Sequence, residues 1–473
     1  MAHHVTSKDI PVNGEKIEKS KLALPKLIAL VIFIAGAIGS YLLFTNETFG
    51  AGYAYSWVFA FLFFITLALG GCFWTTLHHV TNSGWGVSVR RLMENLGFVF
   101  PFMAVICIPL LIPSVQKNLY EWMNDHRDVA QRYVQEDGTL KENDRHQVVE
   151  LKKDEQVSEE NAHSPYFSPP AKAFSPEHEH KALLGTKHWY MNLPFWLIRV
   201  VGFFVLLGAG IYFLRKISIA QDTDPNPTCA RLIKGRKLSC IVMPIFAVVA
   251  TFIALDFMMA LDYKWFSTMY GVYFFAGCAL NSMAVLILTL TWLRSKGYLL
   301  TVTSKEHYHI MGKLMHAFVI FWAYVSFSQF MLIWYANITE ETSYFLLRNS
   351  DEWWIWSLSL PFLHFALPFV LLLPHYAKKT TKIIVPICIY ILVVHVLDLY
   401  IAVIPERGPS LTMMEHHPDG AQLFVEHKAY LGDIVAFITV GAFFVFMFLR
   451  NIGSANLYPN RDPRILESAN LHN

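Results

Sequence analysis

Charged and imidazole side chains set inside long apolar runs are the residues of this chain with the most chemistry to offer. Arg199, Asp256 and Asp398 each fall inside such a run. A charged group deep in hydrocarbon costs about 2.5 to 3.5 kcal/mol on insertion scales, so each needs a partner, a water-filled cavity or a task. Counted from the run ends at about 1.5 Å per helical residue, all three lie roughly 7 to 9 Å below one face, taken below to be the outer one. Two acids and one arginine at a common depth can pair to fix helix packing, or can form a binding or proton-uptake site open to that face. Asp262, at the outer end of the run that holds Asp256, belongs with them.

His395 precedes Asp398 by one helical turn on the same face, the arrangement in which a carboxylate orients an imidazole. His364 falls near the midplane of its run, His316 and His309 in the inner half of another, and Gln329 towards the outer half of that same run. If their helices are neighbours these groups form a ladder able to pass protons; taken singly, a histidine in such a run is more often a satisfied interhelical hydrogen-bonder. Haem b requires two facing histidines at one level, whereas these candidates are spread over several, so no haem is expected.

The elements that position these residues are membrane spans. The chain has 473 residues, 54% hydrophobic and 16% charged, more apolar surface than one soluble core can hide. Its net charge of +2 gives no reason to expect a nucleic-acid partner. Ten apolar segments are long enough to cross a bilayer: 27–45, 54–80, 92–112, 193–213, 240–262, 266–293, 309–336, 352–374, 382–404 and 430–450. The third, with Pro101 and Pro109, and the boundary between the fifth and sixth near Lys264 are the least regular. The predicted fold class is an all-α integral membrane protein.

Lysine and arginine alternate along the connections. Lys8, Lys16, Lys19, Lys21 and Lys26 precede the first span; Arg90 and Arg91, then Arg215 to Lys237, then Arg294 to Lys305, then Lys378 to Lys382 mark every second loop. The positive-inside rule then puts both termini in the cytoplasm. The expected organisation is a cytoplasmic segment 1–26, three spans within 27–112, a long outer loop 113–192, seven spans within 193–450 and a cytoplasmic tail 451–473. The long loop carries Pro165, Pro169, Pro170 and Pro176 and few apolar periods, which suits a segment lying across a partner's surface or a merely mobile one.

At the inner face His78, His79, Trp85, Arg90, Arg91 and Glu94 mark the turn between the second and third spans, with an arginine and a glutamate one turn apart as a local pair. Cys72, Cys107, Cys278 and Cys388 lie in apolar runs, and Cys229 and Cys240 flank an expected basic loop. Their spacing matches no haem-attachment, iron–sulfur or zinc motif, and no metal ligand set or disulfide is expected.

Three stretches, LHHVTNSGWGVSVRRLMEN (Leu77 to Asn95), ALDFMMALDYKWFSTMYGVYFFAG (Ala254 to Gly277) and YHIMGKLMHAFVIFWAYVSFSQFMLIWYANITEET (Tyr308 to Thr342), resemble the NrfD-like, polysulfide-reductase-type membrane subunits. Among these the likeness is to the second such subunit of alternative complex III, a bacterial quinol:electron-acceptor oxidoreductase. MNLPFWLIR (Met191 to Arg199) and HVLDLYIAVIPE (His395 to Glu406) extend it over most of the chain. The resemblance implies two antiparallel four-helix bundles, spans two to five and six to nine, flanked by the first and tenth. It implies a bacterial inner-membrane complex with multihaem cytochrome c and iron–sulfur subunits on the periplasmic side, a sister NrfD-like subunit and lipids as partners. In that setting the chain carries no covalently bound or metal-ligated cofactor. Its share is quinol access (menaquinol or ubiquinol), proton transfer and assembly, with electrons carried by its partners. Two other classes stay open: a purely structural anchor of such a complex, and a stand-alone ion or proton carrier. The carrier predicts proline- or glycine-broken helices in matching halves, and the prolines of the third span find no clear counterpart later in the sequence.

Overall fold

The computed structural model describes residues 4–11, 13–46, 49–120, 122–123, 187, 189–223, 229–349, 353–407 and 429–472. Most of the long loop, with its four prolines, lies outside the described residues. Within them the chain is helical and contains no strand. Ten helices are long and apolar enough to cross a membrane: α1 Lys19–Thr45, α2 Gly50–Thr81, α3 Val87–Leu111, α4 Leu193–Gln221, α5 Ala230–Leu261, α6 Tyr270–Ser295, α7 Lys305–Ala336, α8 Trp354–Leu372, α9 Thr381–Glu406 and α10 Tyr430–Ile452.

Several helices outrun their apolar segments at the charged end. α4 continues through Arg215 and Lys216, and α5 begins at Ala230, so Arg231, Lys234, Arg236 and Lys237 occupy its first turns rather than the basic loop expected from their charge. Lysine and arginine are good helix formers whose stems lie along apolar surface while the heads reach water, so charge alone does not end a helix. α7 starts on a capping box: the Ser304 hydroxyl accepts from the Glu306 N–H while the His307 ring accepts from the Ser304 N–H.

Two spans are interrupted. α3 is regular from Val87 to Gly97 and then passes through short 3-10 and α turns at Pro101 and Pro109. α8 contains a π-helical turn, Pro361–Ala366. Pro368 has no N–H to give to the carbonyl four residues back, which is that of His364, and the backbone opens to a wider turn there. This corrects the expectation that the broken third span has no later counterpart.

α2 is buried along its length and packs against α3, α5, α6, α9 and α10. Glycines permit the close crossings. A Cβ on Gly70 would stand 2.0 Å from Ser282 Oγ and 2.1 Å from the Cys278 carbonyl oxygen on α6; one on Gly71 would stand 2.4 Å from the Gly97 nitrogen on α3. Trp74 Nε1 donates to Ser282 Oγ and the Ala279 carbonyl at the same crossing, both at 3.1 Å. α6 also packs on α5, α7 and α9, while α8 leans on α7 and α9, and α1 pairs with α10 at the periphery. The terminal segments meet at one end. Leu457 N–H donates to the Glu15 carbonyl at 2.7 Å, and Val5 and Asn470 exchange two hydrogen bonds of 2.8 Å.

Candidate functional site

Four helices converge on one carboxylate. Asp398 and His395 lie one turn apart on α9 and are 2% and 1% exposed. The Tyr273 hydroxyl on α6 donates to Asp398 Oδ1 at 2.5 Å, and Trp322 Nε1 on α7 donates to Oδ2 at 3.1 Å. Oδ2 also lies 3.5 Å from His395 Nδ1 and 3.8 Å from Nε2 of His364, which the wide turn of α8 delivers. The His364 ring stacks on Trp322 with centroids 4.0 Å apart.

On its far side His395 Nε2 is 3.3 Å from Thr66 Oγ1 on α2, whose hydroxyl donates to the Phe63 carbonyl at 2.6 Å. Gly277 makes room for the imidazole, since a Cβ there would sit 2.9 Å from His395 Cε1. The centroids of His364 and His395 are 6.1 Å apart, so the expectation that the histidines occupy separate levels is corrected for this pair. One donor atom each of His364, His395 and Asp398 falls within a 4.8 Å group, a set able to hold a metal ion.

From Tyr273 polar groups continue towards the end of α9. Tyr273 and Tyr270 have ring centroids 5.9 Å apart, the Tyr270 and Tyr344 hydroxyls are 3.1 Å apart, and Arg348 lies 3.4 Å over the Tyr344 ring. Arg348 Nη2 then pairs with Glu406 Oε1 at 2.9 Å and also donates to the Ala402 carbonyl. Burial pushes the Tyr344 hydroxyl above its ordinary titration range.

Arg199 and Asp256 meet each other. Nε and Nη2 donate to Oδ2 and Oδ1, both at 2.8 Å, Nη1 donates to the Tyr190 carbonyl, and the Tyr190 hydroxyl donates to Oδ1 at 3.0 Å. The guanidinium lies 3.9 Å from the Tyr190 ring centroid. This two-pronged pair fastens α4 to α5 and is separate from the Asp398 group. Asp262 serves the turn after α5, its Oδ1 accepting from the N–H groups of Lys264 and Trp265.

The proposed ladder is only partly assembled. His316 packs against Phe369, ring centroids 5.1 Å apart, and its Nε2 has no hydrogen-bond partner; no hydrogen bond joins it to His364. Gln329 is buried with an unpartnered Oε1. His309 lies lower on α7, its ring 4.2 Å from that of His375 and its Nδ1 3.7 Å from Glu306.

At the end that holds both termini, the turn between α2 and α3 is a buried ion network. Glu94 lies 3.3 Å from Arg90, 3.2 Å from Arg91 and 3.8 Å from His79; Arg91 reaches Asp222 at 3.1 Å and Arg90 reaches Asp462 of the tail at 3.0 Å. Arg464 donates to the Asn82 carbonyl, and the Ser468 hydroxyl to that of Trp85. Burial raises the Asp222 carboxyl above its usual range against the pull of Arg91. A small polar pocket opens here, lined by His78, His79, Arg90, Asp462 and Arg464 among others.

Sequence reasoning missed Tyr273, Trp322 and Thr66, which look like ordinary members of apolar stripes. Their only sequence signal is a polar tip within a run. Tyr270 and Tyr273 do share a helical face by their spacing. It also missed Asp222 and Asp462, which complete the inner network from distant connections.

Ten apolar helices that bury ionised and imidazole groups against one another define a multi-pass membrane protein of all-helical architecture. No family model matches the chain, and no curated protein matches it.

Proposed function

We propose that this chain is a membrane subunit of a quinol-oxidising respiratory complex of the alternative complex III type, handling protons at Asp398 while partner subunits carry electrons. One contrast carries the reading. Asp256, Glu94, Glu406 and Asp433 are each paired with an arginine, whereas Asp398, among the described residues, is faced by two imidazoles, a phenol and an indole. A carboxylate whose balancing charge must sit on imidazole can gain or lose a proton without stranding a permanent cation. The tyrosines and the Arg348–Glu406 pair supply hydroxyl and carboxylate groups between it and the end of α9.

The stretches that carry the family resemblance supply Tyr273, Trp322, His395, Asp398 and Glu406. In this proposal spans two to five and six to nine form the two four-helix bundles. The end with the termini faces the bacterial cytoplasm and the long loop the periplasm, where multihaem cytochrome c and iron–sulfur subunits dock beside a sister subunit. Arg199–Asp256 holds the outer end, and quinol, menaquinol or ubiquinol, is oxidised within the complex.

The test is affinity purification of the tagged chain from its native membrane, with mass spectrometry and an absorption spectrum. Copurifying haem and iron–sulfur proteins are expected; a stable chain isolated alone counts against the complex. Asp398→Asn then separates the roles. Impaired quinol-driven proton release in an intact complex is expected, and unchanged turnover makes the chain an anchor. A second reading, a stand-alone carrier, draws on the proline interruptions of both α3 and α8, and uptake by liposomes holding the purified chain alone would establish it.

A further inference from the structure

We infer that His364, His395 and Asp398 form a binding site for one divalent transition-metal ion of the Zn2+ class. The inference goes beyond the respiratory reading and rests only on the local geometry. The Thr66 hydroxyl spends its hydrogen on the Phe63 carbonyl at 2.6 Å, so towards His395 Nε2, 3.3 Å away, it offers only lone pairs. His395 therefore carries its hydrogen on Nε2, and Nδ1 presents a lone pair.

That lone pair faces Asp398 Oδ2 at 3.5 Å, and His364 Nε2 faces the same oxygen at 3.8 Å. These separations are too long for good hydrogen bonds. His395 Nδ1 and both nitrogens of His364 have no hydrogen-bond partner although the side chains are 1% and 2% exposed. A neutral His364 with its hydrogen on Nδ1 turns the Nε2 lone pair to the same oxygen, and two such lone pairs beside an anionic oxygen suit a cation lying between them. An ion about 2.0 to 2.2 Å from each donor spans such gaps with small side-chain shifts.

The surroundings suit a metal site. Two imidazoles and one carboxylate are a donor set for Zn2+ or Fe2+ with a coordination position left for water. The Tyr273 hydroxyl and Trp322 N–H hold the carboxylate, and the Thr66 hydroxyl holds one imidazole, as second partners of metal ligands do. A cation there also balances a buried carboxylate that no arginine or lysine reaches among the described residues. Proton and metal use the same lone pairs, so a bound ion takes the proton's place.

The test equilibrates the chelator-treated, purified chain, with whatever subunits copurify, with equimolar ZnCl2, removes free metal by gel filtration and measures zinc per copy of this chain. About one equivalent is expected in the wild type, falling to background in His364→Ala and His395→Ala but not in His309→Ala. Less than a tenth of an equivalent in the wild type overturns the inference, as does equal retention by the triad variants, which assigns the zinc to adventitious histidines. Zinc absorption spectroscopy on the wild type stands if a variant misfolds: two imidazoles in an all-nitrogen-and-oxygen shell support the site, and any sulfur ligand overturns it. Quinol-driven proton release measured on the same samples reads the respiratory proposal separately.

Discussion

Two buried acids show how partner choice decides what a residue can do. Asp256 accepts three donors, two of them from a fixed cation, and its charge is neutralised in place. Arg199→Met should leave that carboxylate buried without its cation and cost about 3 to 5 kcal/mol, while the double change Arg199→Met with Asp256→Leu should recover most of it. Thermal unfolding in detergent would read both, and an additive double variant would contradict the pairing. At Asp398 the donors are neutral. Tyr273→Phe removes the 2.5 Å hydrogen bond and should cost about 1 to 3 kcal/mol by leaving Oδ1 without a donor. An unchanged unfolding midpoint would mean that another group replaces the phenol.

Helices here do two jobs that the hydropathy pattern does not separate. α2 is a central post that other spans touch at backbone distance, whereas α1, α7 and α8 leave most of their apolar surface outside the fold. Gly70→Ala drives a methyl into Ser282 and into a carbonyl that cannot rotate away, so overpacking of about 1 to 3 kcal/mol and a poorer yield of folded protein are expected. Gly39→Ala and Gly202→Ala, where a Cβ meets nothing within 4 Å, should be neutral or slightly stabilising in the same assay. α8 illustrates the other job: proline opens its backbone at the level where His364 must face α9, and a regular helix would turn that ring elsewhere.

The whole molecule closes at one end through its termini. Asp462 reaches Arg90, Ser468 reaches Ser88 and His307, and Asn470 holds Val5, so the tail bridges α3, α7 and the N-terminal segment. Deleting 453–473 should leave the spans inserted but raise amide hydrogen exchange over 82–94, because Arg90 loses a partner and the α2–α3 turn loses its cover. Unchanged protection there would show that the network holds without the tail.

The sequence alone determined the spans, because about twenty apolar residues are a length requirement that hydropathy meets locally, and it picked out the ionisable groups inside them, because such groups are costly wherever the chain runs. Helix ends were legible only to within about three turns, as the basic first turns of α5 show. The pairing of His395 with Asp398 was also local, being one turn of one helix. Which acid meets an arginine and which meets imidazoles was decided by the tertiary structure. His364, Tyr273, Trp322 and Thr66 come from helices far apart in the chain, and their meeting depends on a proline-widened turn and on glycines that let α2 and α6 approach, neither of which leaves a periodic trace.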